Sequence, residues 1–260
     1  MDIDTGKIIF SHQEHTAAIV YVVFNEKHNE LISVSKDSTV RVTALSGDHG
    51  RMVHLVDGVC NAACVTKGKA HLLIATDDCT VLILRIVQEG EYELEATVQL
   101  EQSATCIACP SHLHHEQRVA KETDDAPGVL FQHDMDHAAF GFNDGSVMLY
   151  DLVCDTPIWH VTPHAKEVYD LTFSHDGAMI ATASRDKTAC IISADRGGNG
   201  GTEMHRCERH TEHVRAVAFG DFDQLLTGPW IGEGDVAVEG VGEGWGGKGR
   251  GVEAKRFCER

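Results

Sequence analysis

The chain has few basic residues for its length. Its 260 residues include 22 lysines and arginines against 40 aspartates and glutamates, which gives a formal net charge of −18. Such a balance repels the phosphate backbone of nucleic acids as well as anionic membranes, and it favours basic protein surfaces. We therefore expect protein partners and no binding to nucleic acid.

The sequence also lacks any apolar run that approaches the roughly 18 residues needed to cross a bilayer. It begins Met-Asp-Ile-Asp, which is acidic where a secretory signal is basic. The nine cysteines are odd in number and scattered, as expected for reduced thiols. These features predict a cytoplasmic protein with no transmembrane segment.

What the sequence does contain is an internal repeat. Placing His15 on His164 aligns, without a gap, Ile19 with Val168, Val22 with Leu171, Phe24 with Phe173, Leu31 with Ile180, Ser35 with Ser184, Asp37 with Asp186 and Thr39 with Thr188. A third copy begins at His210 and carries Val214, Val217, Phe219 and Leu226 on the same spacing. Two more copies, around Asp78 and Asp144, keep the turn and the strand that follows it. A period of about 40 residues is typical of stacked repeat folds.

Each copy reads as short strands of alternating polarity joined by turns rich in Asp, Gly, Asn and Lys. Helical periodicity is absent from the sequence. One such unit cannot bury both of its faces, so it must stack against its neighbours, and a closed ring of units would leave no exposed edges. The pattern predicts an all-β fold of about five four-stranded sheets.

The segments "SVSKDSTVRV" and "TASRDKTACI" resemble the blades of WD40-repeat β-propeller proteins. In that family a histidine before the first strand, a Ser or Thr on the second strand and an aspartate in the next turn are linked by hydrogen bonds. The resemblance assigns these structural roles to His15, Ser35, Asp37, Asp78, Asp144, His164, Ser184, Asp186 and His210.

The repeats depart from the family at the tryptophan of the third strand. That position holds Thr43, Leu84, Tyr150 and Ile192, so no blade carries the complete set, and we expect divergent blades. The fifth copy keeps its pattern only to Leu226 and Thr227, which predicts a truncated last blade and an incomplete propeller.

The predicted propeller covers residues 1–228, with an acidic, histidine-rich insertion at 110–137. Residues 229–260 are dense in glycine and lack strand alternation, so we expect a disordered or non-native tail.

Several motifs suggest chemistry but are better explained as structure. Cys106 and Cys109 lie on a predicted strand and should point to opposite faces, and the pair His133 and His137 would converge only on a helix, so no metal site is expected. The glycine-rich Gly242 to Lys248 lacks the strand and helix of a phosphate loop. The His, Asp and Ser sets recur in different blades, which favours a structural role over a catalytic triad.

By resemblance, partners bind the face that carries the turns before the first and third strands. Residues just before the turn aspartate, and three and five places after the blade histidine, line that face. These positions hold Lys36, Asp77, Asn143, Arg185, Glu167, Tyr169, His213 and Arg215. The mixture of both charges with an aromatic residue suits a polar protein interface.

The sequence thus predicts a non-enzymatic scaffold for protein–protein interaction, with no cofactor and no small-molecule substrate. An alternative is nucleotide exchange on a small GTPase, with peripheral attachment to the endoplasmic reticulum. It rests on a loose likeness of "VYDLTFSHDGAMIATASRDKTACI" to the endoplasmic-reticulum propellers that load the COPII coat GTPase.

Overall fold

The fold consists of β-strands joined by tight turns. The computed structural model describes residues 13–44, 51–66, 70–88, 91–110, 137–208, 210–220, 224–228 and 237–240. In these ranges it contains nineteen strands in five antiparallel sheets and no helix. The chain divides into two units, residues 1–103 with sheets 1 and 2, and residues 104–260 with sheets 3 to 5.

The first unit holds two four-stranded sheets whose strands follow one another in chain order. Sheet 1 contains β1 (Ile19–Asn25), β2 (Glu30–Ser35), β3 (Thr39–Ala44) and β4 (Arg51–Leu55). Sheet 2 contains β5 (Cys60–Val65), β6 (His71–Thr76), β7 (Thr80–Gln88) and β8 (Glu91–Gln99).

The second unit holds two more four-stranded sheets and a shorter one. Sheet 3 contains β9 (Ala104–Ala108), β10 (His137–Phe142), β11 (Val147–Asp151) and β12 (Thr156–Val161). Sheet 4 contains β13 (Val168–Phe173), β14 (Met179–Ser184), β15 (Ala189–Ser193) and β16 (Glu203–Cys207). Sheet 5 contains β17 (Ala216–Phe219), β18 (Gln224–Gly228) and β19 (Ala237–Gly240). The prediction of an all-β fold with five blade-like sheets, the last incomplete, is confirmed.

Neighbouring sheets pack through apolar side chains within each unit. Between sheets 3 and 4, Ala139 and Leu149 lie in one buried cluster with Val168, Leu171 and Phe173. Sheet 4 is covered on both sides, so its strands are apolar on both faces, as in β15, where all residues but the last are buried. The stacked faces supply the apolar burial that a single small sheet lacks.

Four turns share one geometry at the end of the second strand of a sheet. A carboxylate oxygen of Asp37, Asp78, Asp144 or Asp186 accepts the backbone amide two residues later, at 2.9–3.2 Å. The residue between them is left-handed in all four turns, with φ of 65° at Ser38, 68° at Cys79, 90° at Gly145 and 75° at Lys187. The four aspartates therefore occupy equivalent bends.

Two details of the fifth copy differ from the sequence alignment. Phe219 pairs with Leu225, as Phe173 pairs with Ile180, so Leu225 and not Leu226 occupies the core position. Leu225 is fully buried whereas Leu226 is 36% exposed. The turn between β17 and β18 is shorter by one residue, and a one-residue shift moves every later side chain to the other face of the sheet.

The predicted tail and insertion fall largely outside the described residues. Within 229–260 the structure describes only β19, which pairs with β18. A strand was not expected there, and the expectation of a disordered or non-native tail stays a prediction. Of the insertion, only Pro110 and His137 are described, and β10 begins at His137.

A glycine-rich loop between β15 and β16 of sheet 4 contacts sheet 3 at the end of the sheets opposite these turns. The Trp159 indole donates to the carbonyl oxygen of Asp195 at 3.1 Å, and a Cβ added at Gly200 would lie 2.6 Å from that indole. Arg196 from the same loop contacts the His137 ring. Burial, aided by the Arg196 charge, lowers the pKa of His137 to about 4.

The shared turn geometry predicts unequal tolerance at two equivalent positions. A Cβ on Gly145 would lie 2.2 Å from the His164 carbonyl oxygen, in a left-handed conformation. We expect Gly145→Ala to lower the free energy of unfolding by about 1–3 kcal/mol. Lys187→Gly should change it by less than about 1 kcal/mol, because relief of strain opposes the greater entropy of the unfolded chain. Urea unfolding followed by fluorescence measures both, and equal effects would contradict the clash.

Candidate functional site

The turn end of the sheets is organised around buried histidines. In sheet 1, His15 Nδ1 lies 2.9 Å from an Asp37 carboxylate oxygen and 3.2 Å from the Thr39 hydroxyl. Its Nε2 lies 2.8 Å from the Ser33 hydroxyl. The Thr39 hydroxyl also donates to Asp37 at 2.5 Å. One imidazole thus ties the segment before β1 to both β2 and the following turn.

Sheet 4 repeats this arrangement around His164, whose side chain is fully buried. Its Nδ1 lies 3.1 Å from Asp186 and 2.9 Å from Thr188, and its Nε2 lies 2.8 Å from the Thr182 hydroxyl. Because a carboxylate only accepts, Nδ1 carries the proton and Nε2 accepts from the threonine. We call each histidine with its aspartate and two hydroxyls a brace.

The hydroxyl that hydrogen-bonds to the histidine belongs to a different residue of the second strand than Ser35 or Ser184. Ser35 and Ser184 instead donate to backbone carbonyls just before the first strand, at 3.0–3.2 Å. The brace uses Ser33 and Thr182, two residues earlier on the same face of the strand. The segments "SVS" and "TAS" carry a hydroxyl at both positions, so the spacing could not show which hydroxyl bonds to the histidine.

The other copies hold part of the brace. His210 Nε2 lies 2.7 Å from the Thr227 hydroxyl, the counterpart of Thr182. The turns of Asp78 and Asp144 have no blade histidine, and their carboxylates take a nearby hydroxyl, Thr76 at 2.5 Å and Ser146 at 2.6 Å. The aspartate turn therefore persists where the histidine is lost.

Protonation follows from these contacts. Burial alone would raise the pKa of Asp37 and Asp186, but hydrogen bonds from the neighbouring threonine, a backbone amide and the histidine outweigh it and lower the pKa. Burial lowers the pKa of His164, although Asp186 opposes the shift. The brace of sheet 4 consequently holds a carboxylate beside a neutral imidazole.

A brace contains the residue types of a catalytic triad, but a substrate could not reach its hydroxyl group. Ser33 is 6% exposed and Thr182 is fully buried, so a substrate carbonyl could not approach either hydroxyl. The same set occurs in two sheets, which fits a structural role.

One predicted partner-facing residue lies at a β-bulge, a feature that was not predicted from the sequence. The strand registers skip Val20, Asn61, Thr105 and Tyr169, each one residue into a first strand. Such a β-bulge re-aims the side chain of the extra residue. Tyr169 lies five residues after His164, so the predicted position coincides with the bulge.

Tyr169 is the centre of a cluster at the turn end of sheets 4 and 5. The Arg215 guanidinium lies 4.3 Å from the centroid of the Tyr169 ring, and the His213 ring lies 6.3 Å from it. Beside them, Arg185 and Glu167 approach to 3.9 Å. Three of the eight predicted partner-facing residues thus contact one another and two more form an ion pair on the adjoining segments, and we call these five the tyrosine cluster.

The other three predicted residues lie at the turns of sheets 1, 2 and 3. Lys36, Asp77 and Asn143 are exposed at their respective turns. Asp77 also accepts the Val59 amide at 2.8 Å, so part of its role is to hold a turn.

The cysteine and histidine motifs form no cluster in the described part of the chain. Cys106 is buried on β9, and its sulfur lies 3.7 Å from the Val168 carbonyl oxygen. Cys60 is buried in the core between sheets 1 and 2. Within the described ranges, no group of three or more His, Cys, Asp or Glu side chains is placed to hold a metal ion. His133 and residues 242–248 lie outside those ranges.

Two segments of the chain match the family described as "WD domain, G-beta repeat". They are residues 6–43 and 155–193, and the second runs from β12 through β15. The braces, the aspartate turns and these matches define repeats of one class. These two segments are WD40 repeats, and the other sheets of the chain resemble them with more divergent sequences.

Three curated proteins are similar to part of the chain, and two of them are named for WD repeats. The chain is similar to WD repeat-containing protein 55 of Mus musculus, with 28% identity over 107 residues, which is 40% of this chain and 27% of the relative. It is 32% identical over 113 residues to autophagy-related protein 18 of Candida glabrata, covering 43% of this chain and 22% of the relative. WD repeat and SOCS box-containing protein 1 of Homo sapiens is 32% identical over 89 residues, 34% of this chain and 20% of that protein.

The matched part of the chain thus spans about a quarter or less of these relatives. Their names give no support to the likeness with the COPII exchange factors, so the exchange-factor alternative stays a prediction. Among the residues that the structure describes, no helix is long and apolar enough to cross a membrane.

The brace predicts that the Thr182 hydroxyl stabilises the fold. Thr182→Val keeps the shape of the side chain but leaves His164 Nε2 buried without a donor, which should cost about 1–3 kcal/mol of unfolding free energy. Thr172→Val on the neighbouring strand removes only a marginal 3.5 Å contact and should cost less than about 0.5 kcal/mol. Urea unfolding compares the two variants, and equal losses would contradict the role of the brace.

The buried histidines predict a loss of stability in mild acid. The pKa values of His164 and His137 are lowered in the folded state, so below about pH 6.5 the unfolded chain binds protons that the folded chain does not. The unfolding free energy should therefore fall between about pH 7.5 and about pH 5. His137→Gln should remove on the order of 1–2 kcal/mol of this loss, whereas a control variant of the exposed His160 to Gln should not. An unchanged pH dependence in His137→Gln would contradict the assignment.

Proposed function

We propose that this protein is a scaffold that binds other proteins through the turn end of sheets 4 and 5 and carries out no chemistry itself. The observation that carries the proposal is the tyrosine cluster. It offers one aromatic ring, two guanidinium groups, one imidazole and one carboxylate within a small part of the surface. Tyrosine and arginine are the residue types that most often dominate binding energy at protein interfaces.

The geometry of the cluster favours binding because its side chains are already ordered. Stacking of the Arg215 guanidinium on the Tyr169 ring limits the rotamers of both, so less entropy is lost when a partner docks. Arg185 is more than half exposed while its Glu167 partner is about one-quarter exposed. A surface ion pair of this kind contributes little to stability, so its charges can be redirected to a partner at small cost.

The brace of sheet 4 supports the proposal because it fixes the segments that carry the tyrosine cluster. His164 and Asp186 fix the segment that leads into β13 and the turn that carries Arg185. Lys187 Nζ in the same turn donates to the Thr211 carbonyl oxygen at 2.6 Å, which links that turn to the segment carrying His213. Binding residues on short, hydrogen-bonded turns are held more precisely than residues on long loops.

Capture of partners from cell extract on immobilised protein tests this proposal. We expect proteins retained by the wild-type chain to be lost or bound at least roughly tenfold more weakly by Tyr169→Ala and by Arg215→Ala. Met204→Ala, which truncates a side chain 52% exposed on β16, provides the matched control and should retain them.

Affinity of each captured protein is then measured by titration against the three variants. Equal affinity for Tyr169→Ala, Arg215→Ala and Met204→Ala would sink the assignment of binding to this cluster. Far-ultraviolet circular dichroism verifies that each variant keeps its strands.

A further inference from the structure

The turn end of sheets 4 and 5 does not share the acidic character of the whole chain. The chain has a formal net charge of −18. The described turns at this end are residues 164–169, 185–188 and 210–215. The basic residues in these turns are all exposed, and they are Lys166, Arg185, Lys187 and Arg215. The acidic ones are Glu167, Asp186 and Glu212. Positive charge is thus concentrated around the tyrosine cluster.

The turn ends of sheets 1 and 2 have the opposite charge. The corresponding turns there are residues 15–20, 36–39, 56–61 and 77–80. Their charged residues are one lysine and four aspartates, namely Lys36, Asp37, Asp57, Asp77 and Asp78. An acidic ligand is therefore repelled at those turns.

Asp186 does little to offset the positive charge at the tyrosine cluster, because both of its carboxylate oxygens are bound within the fold. One oxygen accepts the Thr188 amide at 2.9 Å and the Thr188 hydroxyl at 2.6 Å. The other lies 3.1 Å from His164 Nδ1 and accepts the Ala165 amide at 2.9 Å. The acidic side chains that a partner would meet are those of Glu167 and Glu212.

Backbone hydrogen bonds hold the two arginines of the cluster on neighbouring segments. The Arg185 amide donates to the Glu167 carbonyl oxygen at 2.9 Å. The Val214 amide donates to the Ser184 carbonyl oxygen at 3.1 Å. Arg185 and Arg215 therefore each follow one member of a directly bonded pair of residues. Their backbones are neighbours in a fixed frame.

A guanidinium group favours a carboxylate as its ligand, because its forked N–H groups match the two carboxylate oxygens. Glu167 already takes this role loosely, since its carboxylate oxygen lies 3.9 Å from Arg185 Nη1. The Arg185 side chain is 53% exposed. A carboxylate from a partner can therefore replace Glu167 at small cost, as expected for a surface ion pair.

The contact of Arg215 with Tyr169 is compatible with the same chemistry. Stacking on the ring uses the flat face of the guanidinium, whereas the N–H groups lie in its plane. The ring also restricts the rotamers of Arg215, so pairing with a carboxylate costs less side-chain entropy.

We propose that the partner of the tyrosine cluster is an acidic peptide segment whose carboxylates pair with Arg185 and Arg215. This inference rests on the proposed function and adds the chemistry of the partner. A basic segment would meet like charges at both arginines. The acidic remainder of the chain repels an acidic segment elsewhere, which directs the segment to this end of sheets 4 and 5.

Selection of random linear peptides on the immobilised full chain tests the proposal. Peptides retained by the wild type should be enriched in aspartate and glutamate relative to the library, and Arg185→Glu and Arg215→Glu should each lose this enrichment. Arg85→Glu is the matched control and should keep it, because the Arg85 side chain is likewise 53% exposed and paired with a glutamate, but in sheet 2. Circular dichroism verifies that each variant keeps its strands.

Titration of a selected acidic peptide then measures the contribution of the charges. Replacing its carboxylates by the corresponding amides should weaken binding at least roughly tenfold. Glu167→Gln removes the competing carboxylate, so this variant should bind the peptide about two- to fivefold more tightly than the wild type. Misfolding does not produce a gain in affinity, and equal or weaker binding would contradict the displacement of Glu167.

The outcomes separate this inference from the proposed function. Peptides that require Tyr169 but are rich in lysine and arginine, or uncharged, would overturn the acidic partner and leave the proposed function intact. Peptides retained equally by the wild type and Tyr169→Ala would count against both. A selection that yields no peptide, or only peptides that bind after phosphorylation, would overturn recognition of carboxylates, while capture of whole proteins still decides the proposed function.

Discussion

The hydrogen bonds of one aspartate in each turn are the constraint on which the rest of the structure depends. The turn forces the next residue into the left-handed region, which costs roughly 1–2 kcal/mol for any residue but glycine. Three of the four turns nevertheless have serine, cysteine or lysine there. The carboxylate offsets this cost through charge-assisted hydrogen bonds to an amide and a hydroxyl, each worth about 1.5–3 kcal/mol. Wherever the aspartate is ionised, the second and third strands are therefore joined in one register.

The histidine extends that local constraint across a whole sheet. Its two ring nitrogens reach the turn and the second strand at the same time, while the histidine itself sits just before the first strand. Three strands are thus fixed by one buried neutral ring. The bulge at Tyr169 follows five residues later, so the brace also sets where this side chain leaves the sheet and meets Arg215.

Much of the fold could be predicted from the sequence because each repeat is marked by residue types with a strong local preference for turns or strands. Aspartate, serine and threonine mark the turns, and alternating apolar residues mark the strands. Ser33 and Thr182 were missed because two hydroxyls of similar reach lie two residues apart on one strand face. Leu225 was missed because a single residue lost from a turn changes the face of a whole strand. The stacking of Arg215 on Tyr169 depends on how two sheets pack, and no local pattern encodes it.

The missing tryptophans shift the balance of forces in this chain. With Thr43, Leu84, Tyr150 and Ile192 at the third-strand position, the hydrogen-bonded network ends at the second hydroxyl, and Leu84 and Ile192 are completely buried. Cohesion between sheets then rests on apolar contact, which is non-directional and proportional to the area removed from water. A network of directed hydrogen bonds stabilises a sheet from within, whereas apolar contact stabilises it only against a neighbour. Sheets of this composition consequently need covered faces more than blades with the full network do.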